Sequence, residues 1–231
     1  MARSAFTLAA LASAAVPGLE VDHAGQVADP DYDAAVLGGA DGRAWLVRVP
    51  RTRSADTRLR AELAALAALT QGARSRLPFA VATLAGRAKV GPTFAAVTEH
   101  FPGAAVPVAQ IPVEPEGLGF RIGLAIGAVH LLPPTVVVDA GLPMSGPVES
   151  RRGAIGVLER AGATGLLPLA VESRWQHAID DADLWQFQAR VVGGFDATSF
   201  LGDGDQVVAV QGWQGLAIGD PASDLKWAVQ T

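Results

Sequence analysis

The proline-rich segment PGAAVPVAQIPVEPEG, residues 102–117, constrains this chain more than any other feature. Its prolines lack the backbone N–H that helix interiors and central strands use, so the segment is predicted to be a linker. Before it, apolar residues come in short runs separated by turn residues, as in strands. After it, they recur at helical spacing. We therefore predict a strand-rich part at residues 1–101 and a mainly helical part at residues 102–231.

The strand-rich part is predicted to contain five strands and one main helix. The first three strands are LEVDHAGQV, DAAVLGG and AWLVRVP, and GGADGR supplies the turn between the second and third. A helix at about residues 54–69 follows, with Ser54 as its N-cap. Its apolar face consists of Leu59, Leu63, Leu66 and Leu69. The runs PFAVATLAG and TFAAVTEHF are predicted to be the last two strands.

The N-terminal stretch MARSAFTLAALASAAVPG has two interpretations. An early arginine, an apolar run and small residues are typical of a signal peptide, which would make this a secreted globular domain. Alternatively, the stretch is a short helix that Ser4 caps and Pro17-Gly18 ends. The run is rich in alanine rather than leucine, which favours the helix and a cytoplasmic protein. No run in the chain is long and apolar enough to span a membrane.

The helical part is predicted to begin with a helix whose apolar positions are Leu118, Ile122, Ile126 and Val129. Two further helices are expected near residues 146–162 and 166–181. The runs QARVV and QVVAV then predict a hairpin around GDGD, at about residues 187–212. A last helix is predicted to begin at Asp220 as N-cap, with Pro221 in its first position.

Composition excludes several classes of function. The net charge is −5 and the basic residues form no stripe, which argues against a nucleic-acid or membrane partner. The chain has no cysteine, so disulfides, thiolate metal sites and cysteine nucleophiles are excluded. Its four histidines are far apart and lack metal-ligand spacing. Half of the residues are hydrophobic, which allows a sizeable core.

Five strings, in this order, resemble the aminoglycoside and macrolide phosphotransferase family: DGRAWLVRVPR, LRAELAALAAL, LPFAVATLAG, GLAIGAVHLLP and GDPASDLKWAV. The actinobacterial macrolide-type branch is the nearest. The resemblance implies an α+β, protein-kinase-like fold of two lobes. The N-lobe would be a five-stranded antiparallel sheet with one main helix. The second lobe would be mostly helical and C-terminally short, because the family continues with further helices.

The family transfers the γ-phosphate of ATP or GTP, with Mg²⁺, to a hydroxyl of a small molecule, chemistry that depends on positioning and charge neutralisation. The resemblance places Arg48 at the phosphate-holding position of the third strand and Glu62 at its partner's position. It places Glu99 and Phe101 at the hinge that meets the adenine. The alternative for Arg48 and Glu62 is an ordinary strand-end arginine and a solvated helix residue. The first turn, VADPDYD, lacks the glycines that let backbone N–H groups approach phosphates.

The loop VVGGFDATSF departs from the family's catalytic motif, which is His-Gly-Asp-Leu followed by a metal-binding Asn or His. The aligned register places Gly193 at the histidine, Phe195 at the catalytic aspartate and Phe200 at the metal ligand. A register shifted by one residue makes Asp196 the catalytic base, but it then places Leu201 at the metal ligand.

The second metal position falls on Gly212, whose side chain cannot bind Mg²⁺. The nearby Asp203 and Asp205 are interpreted as turn residues, and Asp220 as a helix cap. No metal ligand is therefore predicted.

Two functional hypotheses follow from the resemblance. The favoured one is a catalytically impaired pseudokinase that binds an unidentified small molecule or protein partner, with ATP or GTP and Mg²⁺ bound weakly or not at all. The other is an active small-molecule O-phosphotransferase with an alcohol group as acceptor, in which Asp196 is the base.

Overall fold

An antiparallel sheet of five strands dominates the first half of the chain, in the order β1-β2-β3-β5-β4. The computed structural model describes residues 2–106 and 117–229, so most of the predicted linker lies outside the described residues. The strands are β1 (Val21–Val27), β2 (Tyr32–Gly39), β3 (Ala44–Pro50), β4 (Leu84–Val90) and β5 (Thr93–His100). The five antiparallel strands agree with the predicted fold class, although β4 lies further along the chain than predicted.

The two faces of this sheet are covered by different helices. Helix α1 (Ala5–Ala15), capped by Ser4 as predicted, packs on one face, where Leu8 is fully buried against Val47 and Val49 of β3. Because side chains alternate along a strand, Arg48 points to the opposite face. That face meets α2 (Arg53–Ala68) and the helical half of the chain.

Helix α2 begins one residue earlier than predicted, and Ser54 is not its cap. The Thr52 hydroxyl accepts a hydrogen bond from the Ala55 N–H at 3.1 Å, while Ser54 lies inside the helix and contacts Arg58. The segment RTRS offers two hydroxyl residues two positions apart, and only the extended backbone of Thr52 suits an N-cap. A short helix, α3 (Gln71–Arg74), follows α2.

The prediction that PFAVATLAG forms a strand was wrong for most of its length. Strand β4 begins at Leu84, and the residues before it leave the sheet. Ala80 instead pairs with the second half of the chain: its N–H donates to Val208 and its carbonyl accepts from Val210. The Arg74 guanidinium donates to the carbonyls of Leu66, Leu69 and Val81, which fixes this segment.

The predicted helices of the second half are confirmed, with small shifts at their ends. They are α4 (Leu118–His130), α6 (Pro147–Ala163) and α7 (Leu169–Asp180), and the short α5 (Thr135–Val138) was not predicted. The last predicted helix is a 3-10 helix over Pro221–Val229, with Asp220 accepting from the Ala222 N–H. None of the helices in the described part of the chain has the length and apolar character needed to cross a bilayer.

The predicted hairpin between QARVV and QVVAV was wrong in its pairing. Strand β9 (Gln206–Val210) pairs with β8 (Phe200–Asp203) across the GDGD turn, and β6 (Ala104–Ala105) extends that sheet. Strand β7 (Arg190–Val192) pairs instead with β10 (Ala217–Gly219). The loop between β7 and β8 therefore links two separate small sheets, and that loop carries the residues that the resemblance aligns with the family's catalytic motif.

Asp33 joins three segments of the first half. Its side chain is almost fully buried and accepts hydrogen bonds from Arg51 Nε at 2.6 Å and Arg3 Nη1 at 2.8 Å. Burial alone would raise the pKa of the Asp33 carboxyl, but the hydrogen bonds from Arg51 and Arg3 outweigh it and hold the pKa below the ordinary 3.8. The N-terminal segment is thereby tied to strands β2 and β3.

Asp33 should make stability depend on pH in the acid range. A carboxyl whose pKa is lower when folded stabilises the protein above its unfolded pKa, and this stability is lost as the pH falls through the folded pKa. Asp33→Asn should therefore lower the free energy of unfolding at pH 7 by about 2 kcal/mol and reduce its decline below about pH 4. Urea unfolding at pH 7 and pH 3 measures both. The control is Asp41→Asn, which removes an exposed pair with Arg43 and should change little. A variant with the wild-type pH dependence would contradict this assignment.

Candidate functional site

A crevice of about 500 Å³ lies between the sheet and the loop regions of the second half. The hinge residues Glu99, His100 and Phe101 line one side, and residues after β7 and β9 line another. This confirms the predicted crevice near Phe101. The sheet strands in the described ranges belong to three separate sheets, so no continuous sheet joins the two halves.

Arg48 and Glu62 form an ion pair in this crevice, as predicted. Arg48 Nη1 lies 2.8 Å from Glu62 Oε2, and the two side chains are only 14% and 11% exposed. Arg48 Nε is buried and has no hydrogen-bond acceptor among the described residues. A buried guanidinium N–H without an acceptor is uncommon, and a phosphate oxygen is an acceptor that would suit it. The nucleotide-binding role of the pair stays a prediction.

In the turn between β1 and β2, backbone N–H groups bind a carboxylate of the protein itself. The Asp29 carboxylate accepts hydrogen bonds from the backbone N–H groups of Asp31, at 2.8 Å, and Tyr32, at 3.0 Å. Asp31 in turn pairs with Arg58 at 2.6 Å. In a phosphate-binding loop such N–H groups point at the ligand. Here they are satisfied within the protein, which agrees with the absence of glycine from the turn.

The hinge is fixed by hydrogen bonds between Glu99 and Thr83. The Glu99 N–H donates to the Thr83 carbonyl at 3.0 Å, and the Thr83 N–H donates to Glu99 Oε2 at 3.0 Å. Burial lowers the pKa of His100 below its ordinary 6.5. Phe101 lines the crevice beside them. The predicted contact of Glu99 and Phe101 with a nucleotide base stays a prediction.

Aromatic side chains fill the position that the family resemblance gives to the catalytic aspartate. Phe195 is 1% exposed, and its ring meets Phe200 edge-on at 5.4 Å and Trp213 at 5.1 Å between centroids. Phe200, at the predicted metal-ligand position, is fully buried. These contacts are typical of a packed core and stabilise the loop by burial rather than through charged groups.

The glycine at the motif's histidine position is a consequence of this packing. The ring of Phe195 folds back over Gly193, and a Cβ atom at residue 193 would overlap it. A histidine at residue 193 and the present Phe195 therefore exclude each other. Gly212 has a φ of +78°, a left-handed conformation that side chains other than glycine rarely adopt.

Asp196 lies beside the crevice, but its carboxylate is engaged locally. Its Oδ1 accepts hydrogen bonds from the Thr198 N–H at 2.8 Å, the Thr198 hydroxyl at 2.7 Å and the Ser199 hydroxyl at 3.3 Å. Asp196 thus caps the 3-10 turn Ala197–Ser199. Its side chain is exposed and lines the crevice, so its predicted role as a base stays a prediction.

The described residues offer no ready metal site. No group of three or more histidine or acidic side chains within residues 2–106 and 117–229 is arranged to hold an ion. The absence of a metal ligand at Phe200, Leu201 and Gly212 stays a prediction.

Sequence reasoning missed Asp224, which fixes the loop. Its fully buried carboxylate accepts hydrogen bonds from the N–H groups of Gly193 at 2.9 Å, Gly194 at 2.7 Å and Phe195 at 3.2 Å. His130 Nε2 of α4 lies 3.0 Å from the same carboxylate. The signal was the second aspartate of GDPASDL, a string that was interpreted as the beginning of a helix and as part of the family resemblance, with no role for that aspartate.

Removing the Asp224 carboxylate should destabilise the whole chain. Asp224→Asn keeps the shape but replaces one acceptor oxygen with an NH₂ group that faces backbone donors, so we expect a loss of about 3 kcal/mol. The comparison is Asp220→Asn, which removes the charge from a helix cap and should cost about 1 kcal/mol or less. Urea unfolding of both variants measures the difference, and equal losses would contradict the anchoring role.

The steric overlap between residues 193 and 195 should appear as a coupling free energy between substitutions at these two positions. Gly193→Ala should lose about 1–3 kcal/mol of stability, because the new methyl group meets the Phe195 ring. In a Phe195→Ala background the same change should be nearly neutral. Gly123→Ala, in an open position of α4, is the control and should not destabilise. Additive losses at 193 and 195 would show that the two residues do not exclude each other.

The fold matches solved phosphotransferases over nearly the whole chain. A macrolide 2′-phosphotransferase from Brachybacterium faecium superposes with a TM-score of 0.78 at 21% identity, over 97% of this chain and 77% of that one. A type I macrolide 2′-phosphotransferase gives 0.72 at 24% identity, over 95% and 74%. The GDP complex of aminoglycoside 2′-phosphotransferase-IIIa gives 0.78 at 13% identity, over 99% and 78%.

No protein-family model matches the sequence, and no curated protein does. The likeness to the solved structures shows the fold and confirms the predicted fold class: this chain has the kinase-like α+β fold of the macrolide and aminoglycoside phosphotransferases.

Proposed function

We propose that this protein belongs to the macrolide and aminoglycoside phosphotransferase family and is a pseudokinase, whose crevice binds a ligand without efficient phosphoryl transfer. The shared fold and the Arg48–Glu62 ion pair support the family. The buried Phe195 carries the argument for lost catalysis. In the aligned register it stands where the family has its catalytic aspartate, and its side chain can neither accept a proton nor carry charge.

The transfer step depends on charge held in place before the reaction. The γ-phosphoryl group needs cations around it, and the attacking hydroxyl needs a base. In the aligned register the base position is Phe195, and the metal positions are Phe200 and Gly212. These residues do not fit Mg²⁺, which requires oxygen ligands in near-octahedral geometry. Losing one electrostatic group commonly costs about 3 kcal/mol of barrier, a rate factor of roughly one hundred or more.

The charge of the crevice also disfavours a triphosphate. Its walls carry five carboxylates and two guanidiniums: Asp29, Asp31, Glu62, Glu99 and Asp196 against Arg48 and Arg58. Both guanidiniums are already paired with carboxylates of the crevice. The excess of negative charge repels nucleotide phosphates when no cation accompanies them. Binding of ATP or GTP is accordingly expected to be weak or absent.

A second candidate is an active O-phosphotransferase that uses Asp196 as its base and a hydroxyl of a small molecule as acceptor. The observation in its favour is the exposure of Asp196 at the crevice wall. One carboxylate oxygen is engaged by Thr198 and Ser199, and the second has no hydrogen-bond donor among the described residues. This candidate requires a different metal arrangement from that of the aligned motif.

The two candidate functions differ in the rate of phosphoryl transfer that they predict. We expect the protein, given ATP or GTP with Mg²⁺ and a panel of macrolides and aminoglycosides, to show no phosphoryl transfer above background. A macrolide 2′-phosphotransferase assayed in parallel is the positive control. Transfer at about 1 s⁻¹ or faster, abolished by Asp196→Asn, would establish the active enzyme instead. Thermal unfolding with and without Mg²⁺ and nucleotide separately measures binding, because a ligand specific to the folded state raises the melting temperature.

A further inference from the structure

The hairpin formed by α6 and α7 exposes most of its surface. Leu158 is the one buried residue of α6 over its 17 residues, and Ile179 is the one buried residue of α7 over its 12. Large apolar side chains nevertheless lie on this hairpin in solvent: Val148, Ile155, Val157, Leu166, Leu169, Val171 and Trp175. An exposed apolar surface of this kind commonly marks a protein interface.

Two surface clefts that share Ile155 flank a stripe of residues along α6. The first cleft, of about 330 Å³, is lined by Val148 and Ile155 and by two guanidiniums, those of Arg151 and Arg152. The second, of about 440 Å³, is lined by Ile155 and by three carboxylates, those of Glu159, Glu172 and Asp180. The stripe is therefore basic at its N-terminal end, acidic at its C-terminal end and apolar in the middle.

This stripe, formed by Val148, Arg152, Ile155, Glu159 and Gly162, is complementary to the same stripe on a second copy of the chain. Ile155 is the central residue of the 17-residue helix, with Val148 seven residues before it and Gly162 seven residues after. Arg152 lies three residues before Ile155, and Glu159 lies four after. If a second copy packs antiparallel about a twofold axis through Ile155, Val148 faces the partner's Gly162. Arg152 then reaches the partner's Glu159, and the two Ile155 side chains meet on the axis.

We propose that the chain self-associates through this α6 stripe as an isologous, antiparallel dimer. A second copy fits because the twofold axis brings Arg152 of each chain next to Glu159 of the other, which makes two equivalent ion pairs. Arg152 and Glu159 are seven residues apart, about 10 Å along one helix, so they do not satisfy each other within a chain. The helix is about 25 Å long, enough for several turns of contact around an apolar centre.

The first test exploits the absence of cysteine from the chain. A single Ile155→Cys substitution places one thiol on the proposed axis, where oxidation should link two chains through a disulfide. The matched control is Val157→Cys on the same helix, because Val157 is 43% exposed and Ile155 is 39% exposed, but Val157 lines neither cleft. We expect covalent dimer from Ile155→Cys alone. Equal cross-linking of the two variants would overturn the proposal.

The second test exchanges the charges of residues 152 and 159 in the chain without added cysteine. Analytical ultracentrifugation between about 1 and 100 μM measures the mass of the particle in solution. The wild type should approach twice the mass of the chain as concentration rises. Arg152→Glu and Glu159→Arg should each weaken the dimer on the order of tenfold or more, since each sets like charges together at two symmetric contacts. The double variant should restore it. Arg174→Glu, on α7 outside both clefts, should change nothing.

Either of two sedimentation results also overturns the proposal. One is a wild-type protein that stays monomeric throughout this range, which would mean that the stripe takes another occupant or none. The other is a double variant that remains as weak as the single variants, which would mean that Arg152 and Glu159 do not meet across the interface. Circular dichroism of each variant separates loss of association from loss of folding.

Discussion

The buried carboxylate of Asp224 determines where the loop after β7 lies. Three consecutive backbone N–H groups, from Gly193 to Phe195, donate to it, and His130 of α4 contacts it from another side. Backbone donors buried in a protein must find acceptors, and one carboxylate supplies all three here. The 3-10 segment at the end of the described chain, helix α4 and the crevice loop are thus fixed relative to one another by one side chain.

This arrangement positions the loop after β7 through its backbone rather than through its side chains. The anchor acts on backbone groups, so it holds the loop whichever side chains the loop carries. Phe195 and Phe200 then turn inward and pack against Trp213, and the loop gains stability by burial. The path of the loop backbone and the chemistry of its side chains are therefore physically separable.

The features that the sequence predicted are those that local pattern determines. Helical spacing located α4, and the family resemblance matched Arg48 of the third strand with Glu62 of the following helix, which form an ion pair. The misses depend on contacts between distant residues. Ala80 leaves the sheet to pair with β9, and Asp224 acts on a loop about thirty residues away. An apolar run or a lone aspartate carries no sign of such a partner, so only the folded arrangement shows it.

The interlock of Gly193 and Phe195 has a bearing on evolutionary history. In a lineage with this pair, either single substitution toward a His-Gly-Asp loop conflicts with the neighbouring residue. Histidine arriving first would collide with the phenylalanine ring, and aspartate arriving first would bury a charge among aromatic rings. Each single-step intermediate is therefore expected to be less stable than the present pair. A side chain at residue 193 requires a smaller residue at 195 first, so the order of changes at these two positions is constrained.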